Sequence, residues 1–86
     1  MTRFDRVKQV TRKAPLVMNT AKILNDQQEN EEITSDQAVE QMIKWAVNSN
    51  MKDFWFDIDD LLLQQYETEK WFWLVRRLRN TRNIDW

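Results

Sequence analysis

Histidine, cysteine and glycine are all absent from these 86 residues, and there is a single proline, Pro15. Without cysteine there are no disulfides, no thiol nucleophile and no thiolate metal site. Without histidine the commonest metal ligand and the commonest general base are both missing. Average usage would supply about six glycines in a chain of this length. Their absence excludes glycine-rich phosphate loops and nucleophile elbows. So little glycine and proline also argues for helices over hairpins, leaving Asn25, Asn30, Asn48, Asn50 and Asn80 for any left-handed backbone position. The longest apolar runs, such as 71–75, fall far short of the ~20 residues of a membrane span. No apolar stretch of the signal-peptide kind follows the basic N-terminus, so a cytoplasmic protein is the expectation.

Apolar and aromatic residues make up 42% and 12% of the chain, enough for one modest core in one domain, 1–86. Net charge is only −1, but it is unevenly spread. Residues 1–22 carry +5, residues 23–69 carry −10 and residues 70–86 carry +4. Basic ends flanking an acidic middle are expected to neutralise one another on folding.

The stretch 53–82 holds most of what the chain can bury: Phe54, Trp55, Phe56, Trp71, Phe72 and Trp73 all lie within it. Met51, Phe54, Trp55, Ile58, Leu61 and Leu62 recur at helical spacing, a stripe that predicts a helix over 51–65 capped by Asn50 or Asp53. The stripe lapses near 66–68 and resumes at Trp71, Leu74, Val75 and Leu78. Residues 51–82 therefore read as an aromatic helical hairpin or one bent helix, with Thr68 a suitable cap for its second arm. Arg76, Arg77, Arg79 and Arg82 suit the negative end of a helix dipole.

Upstream, Thr2, Asp5, Phe4, Val7 and Val10 predict a basic N-terminal helix over 1–13, its apolar edge so thin that the segment is expected either to be mobile or to need a partner to settle. Ala14-Pro15 marks a boundary, because the residue before proline is pushed out of the helical region. A second helix should follow over 16–27 on Val17, Ala21 and Leu24, then an acidic loop over 25–33. Thr34 and Gln37 have capping-box spacing, with Ile33 and Ala38 placed as a hydrophobic staple. They start a helix that buries Val39, Met42, Ile43 and Ala46, with Trp45 at its edge and a Glu40–Lys44 pair outside. The predicted fold class is thus all-α, a small bundle of four to five short helices with no sheet.

Two groups of residues fit no core stripe. Phe56 and Leu63 lie opposite the first arm's stripe beside Asp59 and Asp60, and Trp73 lies opposite the second with Arg76 and Arg77 one turn on. Aromatics beside arginines are typical interface anchors. These seven residues are the candidate partner-binding set, and a two-fold homodimer through the same face is its simplest use. The function expected is a non-enzymatic protein-binding module, a regulator, inhibitor or accessory factor of the kind mobile elements such as phages encode. No cofactor or small-molecule substrate is expected. Asp57, Asp59 and Asp60 point different ways on a helix and lack the glycine-bearing loop of a calcium site. The alternative is nucleic-acid binding through Arg3, Arg6, Lys8, Arg12, Lys13, Arg76, Arg79 and Arg82, against which stand an acidic middle and a pI near 5.4.

Overall fold

A computed structural model describes residues 2–80. Arg3–Glu29 forms α1, Ser35–Asn48 forms α2, Trp55–Tyr66 forms α3 and Phe72–Asn80 forms α4, with a single 3-10 turn, Lys52–Phe54, ahead of α3. No strand occurs among the described residues, so the chain is a small all-α bundle.

The main departure from the sequence reading is α1, one helix running through Pro15 rather than two meeting there. Val10, Ala14, Val17, Ala21 and Leu24 are all buried, at i, i+4, i+7, i+11 and i+14. That stripe keeps one register across the proline, so packing outweighs the lost Pro15-to-Thr11 backbone bond, a defect of about 3 kcal/mol in a helix interior. One turn earlier the Thr11 hydroxyl donates to the Val7 carbonyl at 2.8 Å, a back-bond that also favours bending. The same helix takes up much of the expected acidic loop. It continues to Glu29, and the connection shrinks to residues 30–34. With no glycine to turn it, Glu31 takes a left-handed φ of 62°, and Asn50 does the same at 56° between α2 and α3.

Helix starts follow local chemistry. Thr2 and Thr34 both form complete capping boxes, with Asp5 and Gln37 as the returning side chains. Neither Asn50 nor Asp53 caps α3, whose start is set by the preceding 3-10 turn. Thr68 caps nothing either, since a turn over 67–71 delays α4 to Phe72. In that corner Tyr66 and Trp71 stack at 5.6 Å and Trp71 meets Phe72 edge-on at 6.2 Å. Packing of these rings holds the corner where no side-chain cap does. Arg77 and Arg79 fall in the last turn of α4, where cations meet the negative end of the dipole.

The two stripes read from 51–78 form much of the core. Met51, Phe54, Trp55, Ile58, Leu62, Trp71, Leu74, Val75 and Leu78 are buried, joined by Phe72, while Leu61 is half-buried at the edge. Across from them Met42 and Ala46 of α2 are buried, and Val39, Ile43 and Trp45 pack half-buried at its edges. α1 packs against all three other helices, and α4 touches α1, α2 and α3. The molecule measures 43 × 27 × 18 Å. At 1.5 Å per residue the 27 residues of α1 span ~40 Å, so α1 alone accounts for the long dimension. The 12 residues of α3 and 9 of α4 are too short to cover it. Phe4 and Val7 near its start are therefore left exposed, not turned inward with Val10. No helix among the described residues is long and apolar enough to cross a membrane.

Candidate functional site

Asp59 lies on the inner side of α3, completely buried, and the end of α4 runs past it. One nitrogen of the Arg79 guanidinium donates to Asp59 Oδ2 and also to Asp60 Oδ1, the latter at 2.8 Å. Asp59 Oδ1 has no hydrogen-bond partner among the described residues. A buried carboxylate is tolerated only when paired, so the arginine's place is tightly determined. The Arg79 pKa is raised above its usual value, chiefly by the hydrogen bond to Asp59 and next by that to Asp60. A raised folded-state pKa means the pair's contribution is complete below the ordinary arginine value and is lost only as pH climbs past the folded one. The Arg79 guanidinium therefore stays charged at and well above neutral pH.

The same guanidinium lies 5.9 Å from the centre of the Phe56 ring. Phe56 is 63% exposed, and the Asp60 side chain is 56% exposed next to it. The result is a small outward-facing patch: an open ring backed by a fixed cation and rimmed by a carboxylate. Cation–π contact and the ion pair together hold the ring in a defined pose, although none of the described residues covers it.

A comparison with protein-family models, with curated proteins and with solved structures finds no match. Function must therefore be argued from this geometry.

The other residues of the sequence-derived set lie elsewhere. Asp59 does not reach the surface at all, since its carboxylate is used inside. Leu63 packs half-buried against the core. Trp73 does too, and its indole N–H donates to the side-chain oxygen of buried Asn25 at 2.7 Å, which ties α4 to α1. Arg76 lies over the Phe72 ring at 5.7 Å, and Arg77 is exposed. Phe56, Asp60 and Arg79 are thus brought together, and Trp73 becomes mainly a structural tie. Sequence periodicity placed Trp73 opposite its own stripe correctly. It could not show that the C-terminal end of long α1 would lie there with a buried asparagine.

Several cations of the alternative, nucleic-acid set are engaged within the molecule. Arg6 donates to Asp57 at 2.7 Å and to the Asp53 carbonyl at 2.5 Å, and with Lys13 it flanks the Phe54 ring at 5.3 and 5.6 Å. The basic N-terminus thus neutralises the acidic start of α3. Arg3, Lys8 and Arg12 stay exposed on α1, and Arg82 lies outside the described residues, as do Ile84 and Trp86.

A second feature escaped the sequence reading. Phe4, Val7, Thr11, Pro15 and Met18 form a stripe along one flank of α1, beside the core stripe and not part of it. Between this flank and α3 run two adjoining hollows of about 350 and 340 Å³, which share Thr11 and Leu61. Phe4 and Val7 stand 75% and 58% exposed at the end of the flank where the first hollow opens. The signal was present as spacings of three and four residues. Splitting the helix at Pro15 hid it, because neither half shows the full stripe.

Proposed function

We propose that this chain is a small, non-enzymatic, cytoplasmic module that binds another protein through Phe56, Asp60 and Arg79, and so acts as a regulator, inhibitor or accessory factor of what it binds. The observation that carries this reading is the exposed Phe56 ring, fixed in pose by an arginine that two carboxylates hold. What sets Phe56 apart from other exposed apolar residues is the fixed cation behind it and the carboxylate at its rim, and aromatics beside arginines are typical interface anchors. Asp60 gives the patch a sign, so the fitting partner offers an apolar pocket with a cation at its edge. Catalysis has little to draw on in a chain without histidine or cysteine. Phosphate binding would compete with Asp53, Asp57, Asp59 and Asp60 for Arg6 and Arg79, which disfavours the nucleic-acid alternative.

The test is a photo-reactive phenylalanine analogue at position 56, with the same analogue at exposed Lys44 as control. A discrete protein adduct from position 56, absent from position 44 and abolished by Asp60→Lys, is expected in host extract. Equal adducts from both positions, or none from position 56, would count against this surface.

A further inference from the structure

We infer that the outer face of α1 is where a second copy of this chain docks, antiparallel, on a surface separate from the Phe56 patch and from the α1–α3 hollows. The core stripe of α1 is Val10, Ala14, Val17, Ala21 and Leu24. Two residues beyond each of these stand Arg12, Leu16, Asn19, Ile23 and Asp26, a turn of about 200° that puts them on the opposite side of the helix. All five are exposed, Leu16 and Ile23 by 52% and 59%. Neither Arg12 nor Asp26 has an ion-pair partner among the described residues, unlike Arg6 and Arg79. The order of the stripe selects the occupant. From either end it runs charge, aliphatic, amide, aliphatic, charge, and its two charges are opposite in sign. A two-fold axis beside Asn19 and perpendicular to α1 sets Arg12 of each copy level with Asp26 of the other. Leu16 then meets the other copy's Ile23 to within one residue's rise of ~1.5 Å. Asn19 meets Asn19, and because an amide both donates and accepts, each can satisfy the other and fix the register. A parallel pair would set Arg12 on Arg12 and Asp26 on Asp26, and is disfavoured by that repulsion. A foreign helix gains nothing from a stripe that is its own complement when reversed. A two-fold pair requires one.

Sedimentation equilibrium and oxidative cross-linking of the full chain test this, with circular dichroism to confirm that each variant keeps its helix content. The contact is small, so the expectation is a weak monomer–dimer equilibrium with a Kd on the order of 100 μM. Arg12→Glu, Asp26→Lys and the pair Leu16→Ala, Ile23→Ala should each weaken it about tenfold or more. Combining Arg12→Glu with Asp26→Lys should restore most of the lost affinity, because opposite charges meet again. The sequence has no cysteine, so Asn19→Cys supplies a single thiol beside the axis and should oxidise to a disulfide-linked dimer. Lys8→Cys should not, because its two copies lie ~33 Å apart along an antiparallel pair, beyond the ~7 Å that a disulfide spans between Cα atoms. Phe56→Ala should leave the equilibrium unchanged, so this face and the Phe56 patch stand or fail separately. A monomer at ~1 mM would overturn the inference. So would Lys8→Cys cross-linking as readily as Asn19→Cys, the mark of a parallel pair, or a folded double charge variant that stays as weak as the single ones.

Discussion

Neighbouring residues in this chain have opposite roles, and the contrast can be measured. Trp55 is 3% exposed inside the bundle, while Phe56, the next residue, is 63% exposed outside it. Trp55→Ala should cost about 3–5 kcal/mol, the usual loss when a buried aromatic leaves a cavity. Phe56→Ala should cost under about 1 kcal/mol, since little but a cation–π contact is lost. Urea unfolding of the two variants checks both figures, and similar losses would mean that Phe56 is part of the core. Asp59 and Asp60 repeat the contrast in charge. The first is buried on Arg79, and the second presents its carboxylate to solvent while sharing the same guanidinium. Adjacent carboxylates on a helix look equivalent in sequence. Only the arrival of α4 from twenty residues away separates them, which is why both were read as surface groups.

At the level of the elements, hydrophobic spacing and capping chemistry were legible wherever one local rule acted alone. The Thr34 capping box, the α2 stripe, the Glu40–Lys44 pair at 3.2 Å and the two aromatic stripes of 51–78 all follow the periodicity. The reading failed where tertiary packing overruled a local preference. Pro15 is the clearest instance: a proper breaker by its own chemistry, it sits within an apolar stripe that continues on both sides of it. Its cost is still present in the fold. Pro15→Ala restores the bond to the Thr11 carbonyl and should raise stability by about 1–2 kcal/mol, the helix gain partly offset by a freer unfolded chain. The shift in urea midpoint reads this directly. A loss of stability instead would show that the proline's bend is what seats the first turns of α1 on α3.

For the whole molecule, one long helix and three short ones set what is covered. The short helices bury one side of α1 and each other, and among the described residues they leave Phe56 on α3, Phe4 and Val7 near the start of α1, and Leu16 and Ile23 farther along it exposed. Part of the charge pattern is answered within the described residues, Arg6 pairing with Asp57 and Arg79 with Asp59 and Asp60. The four phenylalanines offer a built-in comparison, Phe4 and Phe56 exposed against Phe54 and Phe72 buried. Hydroxyl-radical footprinting resolved to each ring is the most direct test of the account. In dilute solution Phe4 and Phe56 should be modified at rates near those of the unfolded chain while Phe54 and Phe72 are protected. A Phe56 as slow to react as Phe72 in the dilute chain would contradict the claim that this bundle leaves an aromatic open for a partner.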